Sequence, residues 1–314
     1  MTNQAANPRV TIGMPVYNGA QTIAQSLDSL LEQSFGDFEL VISDNASTDD
    51  SVRIIKSYCQ RDTRIRLIEQ SCNIGANGNF SAVVDAARGE YFKWSTCSDL
   101  CSPDFLTHCV IFLDTHPDVV LAAPSTRLFE THPDESQLYT QDFAVLNDSP
   151  GRRFQQMIET IKLNNAMNGL IRLKALRTRR PVIEHYMQAD IVMMSCLCLQ
   201  GKMAQVPEAV FLRRMDPRTA TILMTKEDDL RHHYPSPDMR ALLPAWHLFL
   251  GWLRAIHQTP VAAADKRQAY RYIAKMCFWE RRRLLSDIPA CIASVLQSLQ
   301  LGRWRTSSKQ APIP

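Results

Sequence analysis

The chain has 314 residues, 45% hydrophobic and 21% charged, with a formal net charge of +3. At roughly 150 residues per domain that length allows about two domains or layers, and the composition excludes a disordered or fibrous chain. No apolar run reaches the ~18 residues that span a bilayer, because Pro244, His247 and Arg254 interrupt the stretch from Ala241 to Ile256.

In chain order, Arg9 to Val16 reads as a strand, and Ala20, Ile23, Ala24, Leu27, Leu30 and Leu31 recur at helical spacing. Phe38 to Ile42 is the next strand, followed by a helix bearing Val52, Ile54, Ile55 and Tyr58. Ile65 to Ile68 forms a third strand, and a helix through Phe80, Val83, Val84 and Ala87 is expected to stop at Gly89. Tyr91 to Trp94 is a fourth strand, Phe105 to Leu113 a helix and Val119 to Ala123 a fifth strand. This rhythm predicts an α/β fold with a mainly parallel sheet and helices on both faces.

Glu130 to Arg153 is polar and weakly patterned, so a connection or flexible loop is expected there. Asn165 to Leu173 reads as a strand, a helix begins near Asp190, and Val206 to Arg213 reads as extended. From Lys226 onward the pattern is helical, with turns at Tyr234–Pro237 and around Pro260. Parallel sheets bind ligands beyond the carboxyl ends of their strands, so polar clusters at those ends are the candidate site.

Four clusters stand there. In Pro15-Val16-Tyr17-Asn18-Gly19, Asn18 is expected to cap the next helix. In Ser43 to Asp50, Ser47 or Thr48 is expected to cap and Asp49 and Asp50 to face the helix dipole. Asp44 is left over as a carboxylate able to accept N–H groups from a planar ligand such as a nucleobase. Asn73-Ile74-Gly75-Ala76-Asn77-Gly78-Asn79 lets backbone approach phosphate or sugar, but it lacks the GxGxxG and GK[ST] orders. Lys93 to Asp99 ends the fourth strand with an acidic residue able to hold a divalent cation through oxygen.

Together the segments MPVYNG, LVISDNASTDDS, NIGANGNF, GEYFKWSTCSD and PDFL resemble family-2 inverting glycosyltransferases of the GT-A fold, over residues 9–125. A looser echo continues through residues 189–214. The resemblance implies a Rossmann-like GT-A domain over 1–225, with a nucleotide-sugar half at 9–125 and an acceptor half at 126–225. A helical C-terminal region at 226–314 would follow. It further implies that Pro15, Val16 and Tyr17 line the nucleotide pocket, that Asp44 reads the base, and that Asn73, Gly75 and Asn79 shape the wall near sugar and ribose. Lys93 and Ser98 fall in the donor-binding segment. Asp99 takes the place of the carboxylate for Mg2+ or Mn2+, although Ser98 replaces a common acidic residue. Asp190 matches the catalytic base, and Arg213 and Arg214 would neutralise the diphosphate leaving group.

The implied activity is sugar transfer from a nucleoside-diphosphate-sugar donor to a glycan or glycolipid acceptor, in cell-surface polysaccharide or glycolipid synthesis. Ser98 admits an alternative, a catalytically silent domain that binds nucleotide or scaffolds an assembly. The N-terminal MTNQAANPRV lacks a secretory pattern, and the nine irregularly spaced cysteines contain no CxxC pair. A cytoplasmic protein with reduced thiols is therefore expected. Residues 265–309 hold ten basic and three acidic residues, with Trp279 and Trp304 among them. That pattern suits peripheral contact with an anionic membrane; no nucleic-acid module is evident.

Overall fold

A computed structural model describes residues 7–215 and 243–289. The chain opens as β1 (Val10–Val16), α1 (Ile23–Leu31), β2 (Phe38–Asp44), α2 (Ser51–Cys59), β3 (Ile65–Glu69), α3 (Ala76–Ala86) and β4 (Tyr91–Trp94). It continues through β5 (Leu100–Cys101), α4 (Phe105–Thr115), β6 (Val119–Phe129), β7 (Gln137–Leu138) and α5 (Pro150–Thr160). A 3-10 turn at Asn165–Asn168 leads to β8 (Leu170–Arg172), α6 (Leu173–Leu176), α7 (Ala189–Gln200) and β9 (Lys202–Arg214). Two helices follow, α8 (Pro244–Gln258) and α9 (Ala263–Trp279), and residues 281–289 are helical as well.

The strands form one sheet in the order β3-β2-β1-β4-β8-β6-β9-β5, with β7 paired to β6. It is an α/β sheet as expected, parallel from β3 to β4 and mixed beyond, where β8 and β5 enter antiparallel. Every residue of β1 and β2 is buried, as strands covered on both faces require. One face packs Ile12, Met14 and Leu40 against α1, α2 and α4. The other packs Val41, Phe92 and Trp94 against α3, α5, α7 and the C-terminal helices.

Two registers position the site. The parallel pairing of Val16 with Asp44 ends β1 and β2 at the same level, and Ser95 N–H donates to Gly13 O where β4 leaves β1. The antiparallel pairing of Leu100 with Leu212 brings Asp99 across from the end of β9.

Several sequence expectations change here. The polar stretch 130–153 holds a 3-10 turn, β7 and the first turn of α5, a helix the sequence did not announce. Only Leu170–Arg172 of the expected 165–173 strand is extended; its start is the 3-10 turn. Gly89 does not cap α3, which ends at Ala86. Instead a Cβ on Gly89 would lie 2.7 Å from Thr11 N and 2.8 Å from Tyr91 O. The turn at Pro260 separates α8 from α9, whereas the expected turn at Tyr234–Pro237 lies outside the described residues.

The C-terminal helices share the second core. Trp252 Nε1 donates to Ser195 Oγ on α7 at 3.0 Å, and the Asp265 carboxylate accepts from Gly151 N at the start of α5 at 3.1 Å. Among the described residues no helix is long and apolar enough to cross a membrane. The eight cysteines described are free, including buried Cys101, Cys109, Cys196 and Cys198.

Gly89→Ala should destabilise the fold by about 1–3 kcal/mol, the range for overfilling a tight site, because the obstructing atoms are backbone. Urea denaturation should show a lower midpoint with an unchanged slope.

Candidate active site

The loops after β1 and β2 hold each other. Asn18 N–H donates to Ser47 Oγ, Gly19 N–H to Ser51 Oγ and Ala20 N–H to Asp49 Oδ2, at 2.8–3.0 Å. In return Thr48 N–H donates to Asn18 Oδ1 at 2.8 Å. The expected caps are therefore corrected: Asn18 does not cap α1, and neither Ser47 nor Thr48 caps α2. Each loop uses its polar side chains on the other loop's backbone. The third loop joins them, with Asn45 Nδ2 donating to Asn73 Oδ1 and Ile74 N–H to Asn45 Oδ1. Gly75 takes φ 78 to start α3, a conformation glycine adopts without a Cβ clash. Asn79, fully buried, ties α3 to the strand ends by donating to Ser43 O at 2.9 Å and Val16 O at 3.3 Å.

Asp44 sits in this frame, 2% exposed. Its Oδ2 accepts from Ser47 N at 2.9 Å, while Oδ1 is buried without a partner. Asn79 Oδ1, Ser95 Oγ and Asn164 Oδ1 are orphaned in the same way. Buried polar atoms are rarely left unpaired; Ser26 Oγ, Arg66 Nε, Arg177 Nε and the Tyr186 hydroxyl share this condition elsewhere in the fold. The non-glycine residues with positive φ among those described are Asn18, Ala46 and Gln188, at 51°, 59° and 65°. All three flank the strand-end loops or Asp190, and such strain collects at functional sites.

The second half of the site is built around Arg213. Asp99 Oδ1 accepts from Arg214 N at 2.9 Å and Oδ2 from Thr96 Oγ1 at 2.6 Å. Burial raises the Asp99 carboxyl above the usual range, against the pull of those two hydrogen bonds and of the Arg213 and Lys93 charges. Asp190, in the first turn of α7, is partly exposed and also raised by desolvation. Asn164 Nδ2 donates to its Oδ2 at 2.9 Å, and the Arg213 charge opposes the shift again. Arg213 is itself fixed by Asn165 Oδ1, which accepts from Nη1 at 2.6 Å. Asn165 is braced by Asp142, whose carboxylate also takes Thr126 N–H and Oγ1–H.

The two halves meet at the β1 loop. Thr22 Oγ1 donates to Cys97 O, and a Cβ on Gly19 would lie 2.7 Å from Cys97 Sγ. The Cys97 thiol is pushed up to about 12 by burial, with further contributions from Asp99 on one side and Asp49 on the other. The strand-end loops and the Asp99 segment thus border one rim.

The profile of Glycosyl transferase family 2 matches residues 11–178, just over half of the chain. The chain belongs to glycosyl transferase family 2. EpsE of Bacillus subtilis strain 168 is 35% identical to this family-2 chain over 112 residues, covering 35% of it and 40% of EpsE. Chondroitin synthase of Escherichia coli is 33% identical over 103 residues, covering 33% of the chain and 15% of the synthase. The matches thus span less than half the length of either relative. Among solved structures, residues 1–349 of Staphylococcus aureus TarS in complex with UDP-GlcNAc superpose with a TM-score of 0.58 at 14% identity. That superposition covers 91% of this chain and 81% of the other, and shows the GT-A fold.

In this family-2 chain several expected site residues have other duties. Pro15 and Val16 are buried at the end of β1, with Val16 in the apolar core, and Tyr17 is the first partly exposed residue. Lys93 faces the core and not the rim, because strand alternation turns it toward α4. Its ammonium donates to Trp94 O and Asn168 O at 2.9 Å and lies over the Phe105 and Phe211 rings. Arg214 is 8% exposed, and its guanidinium braces Ser98 O, Gln25 Oε1 and Glu130 O. Of the pair, it is Arg213 whose charge opposes the shift at both carboxyl groups. Asn164, Asn165 and Asp142 escaped the sequence reading; the adjacent asparagines were the available signal.

Among the described residues no cluster of three or more His, Cys, Asp or Glu could cage a metal. Asp99 keeps spare lone pairs and has the Thr96 and Ser98 hydroxyls beside it. That oxygen set fits Mg2+ or Mn2+ held by one carboxylate together with ligand phosphates.

Asn164→Ala should raise the Asp190 pKa further, since it removes a donor to the charged form. Where activity requires ionised Asp190, the acid limb of kcat/KM should move to higher pH. Asp190→Asn should also stabilise the fold. A carboxyl raised on folding contributes stability below its unfolded pKa and loses it as pH rises through the folded value. The urea midpoint of the variant should therefore exceed wild type at pH 7, with the gap closing toward pH 4.

Proposed function

We propose that the chain is an inverting glycosyltransferase that moves a sugar from a nucleoside-diphosphate-sugar donor to the hydroxyl of a glycan or glycolipid acceptor. Its place would be cell-surface polysaccharide or glycolipid synthesis, at the cytoplasmic face of the membrane, with residues 265–309 in peripheral contact. The region 290–309 lies outside the described residues. Residues 9–125 would bind the donor, 126–225 the acceptor, and 226–314 would form the C-terminal helical region.

The observation that carries this reading is a chain of hydrogen bonds: Arg213 bonds Asn165, whose neighbour Asn164 bonds Asp190, while the N–H of the next residue, Arg214, bonds Asp99. A diphosphate drawn to Arg213, on the side where Asp99 would hold the cation, would leave the sugar's anomeric carbon toward Asp190. The orphaned Asp44 Oδ1 supports a donor whose base supplies N–H groups, and Asn73, Gly75 and Asn79 hold the loop beside it. TarS, the structural neighbour, was crystallised with UDP-GlcNAc, which is consistent with such a donor.

Asp190 takes the proton from the acceptor hydroxyl as its oxygen attacks the anomeric carbon. The bond from that carbon to the diphosphate oxygen breaks, and its electron pair leaves with the diphosphate. One displacement inverts the carbon and needs no enzyme nucleophile. Arg213 stabilises charge growing on the leaving group, and the core charge of Lys93 adds to the field at Asp99. Asp99 would hold the Mg2+ or Mn2+, which when bound supplies further neutralisation of the diphosphate.

Burial holds the Asp190 carboxyl above the usual carboxylate range, the direction a general base needs. Asp190→Asn should cut transfer by about 10²–10⁴-fold while the thermal shift from nucleoside-diphosphate sugars with Mg2+ or Mn2+ persists. Asp44→Ala should abolish that shift. Transfer undiminished in Asp190→Asn would remove the base assignment.

A further inference from the structure

A stripe of cations lies away from the strand-end loops, between α5 and α9. The two helices run in the same direction: Asp265 accepts from Gly151 N near both starts, and Tyr272 lies near Glu159 further along. Between them is a groove of about 590 Å3 lined by Arg152 and Gln155 from α5 and by Arg267, Gln268, Arg271 and Lys275 from α9. Arg267, Arg271 and Lys275 recur every fourth residue, so they stand in one row about 6 Å apart along the helix. Like charges at that spacing repel. Arg152, Arg267 and Arg271 are exposed and have no carboxylate partner among the described residues. A self-repelling row beside a groove calls for an anionic occupant.

The far end of the row indicates which one. Lys275 lies 4.5 Å over the Trp279 ring, and Trp279 and Phe278 are 53% and 64% exposed. Exposed Arg281 and Arg282 follow, then exposed Leu285 and Ile288. Cations leading into exposed aromatic and aliphatic side chains match a surface that is anionic outside and apolar beneath. A soluble phosphate would account for the arginines but not for the apolar end. We propose that the α5–α9 groove binds the phosphate head groups of anionic lipids, with Phe278 and Trp279 entering the bilayer interface beside it. The inference rests on the membrane contact proposed above and not on sugar transfer, and it adds Arg152 of α5 to the surface. Because α5 runs on toward Asn164, which holds Asp190, the seated face adjoins the chain segment that supports the base.

The test is co-sedimentation of the full-length protein, without donor, with phosphatidylcholine vesicles prepared with and without phosphatidylglycerol. Binding should require phosphatidylglycerol. R267E/R271E should weaken it by at least about 30-fold, at roughly fivefold for each basic residue removed from an anionic surface. R267K/R271K should bind as wild type, and Trp279→Ala should bind more weakly. R61E/R88E changes net charge equally on the loops before β3 and β4, away from α5 and α9, and should bind nearly as wild type. The proposal is overturned if phosphatidylglycerol vesicles are not bound or if R61E/R88E loses as much as R267E/R271E. It is also overturned if inorganic pyrophosphate raises Tm through Arg267 and Arg271 without vesicle binding, which would identify a soluble phosphate ligand. Because no donor is present, failure here leaves the transferase reading intact, and an inactive Asp190→Asn protein should still bind vesicles.

Discussion

Arg213 lies within electrostatic reach of two carboxyl groups that folding has lifted above their usual range, Asp99 after β4 and Asp190 on α7. Removing carboxylates from water is unfavourable unless charge or hydrogen bonds compensate, so the positions of all three groups depend on one another. The antiparallel β5–β9 pair sets one distance, since Leu100 and Leu212 are partners and their neighbours follow. The 3-10 turn sets the other, because consecutive residues Asn164 and Asn165 grip Asp190 and Arg213 respectively. A shift of that turn would move both groups together.

The Asp44 side of the rim is organised by a different device. Three loops that leave neighbouring strands satisfy one another's backbone through Asn18, Ser47, Asp49, Asn45 and Asn73. That mutual arrangement holds Ala46 at positive φ and leaves Asp44 Oδ1 unpaired. Both features cost stability, and both are sustained by the fully buried strands beneath. A rigid sheet with strained, incompletely satisfied loops at its carboxyl edge is the kind of scaffold on which functional sites collect.

Much of this was legible in the sequence. β1 to β4 and the helices between them show as apolar runs and helical stripes, and their order places Asp44 and Asp99 at strand ends. Asp190 was recognisable at the start of α7. What escaped depends on contacts between distant residues. α5 has few apolar anchors, chiefly Phe154 and Met157, and is held by Asp265 more than 110 residues later. Asn165 reads as the start of a strand, with Asn164 just before it, until Asp190 and Arg213 arrive to use their amides. Lys93 looked like a site residue because a lysine beside a polar cluster gives no sign of which face it takes. Alternation along β4 and the aromatic rings of Phe105 and Phe211 decide that. The loop caps were misread for a similar reason, since Ser47 and Asn18 serve each other and not their own helices.

The central claim is that Asp44, Asp99, Arg213 and Asp190 surround a single donor molecule. Its most direct test is a crystal structure of the chain with a nucleoside-diphosphate sugar. The account predicts the base hydrogen-bonded to Asp44, the diphosphate between Asp99 and Arg213, and the anomeric carbon facing the Asp190 carboxylate. A donor that touches Asp44 but leaves Asp99 and Arg213 to a separate cavity would contradict it.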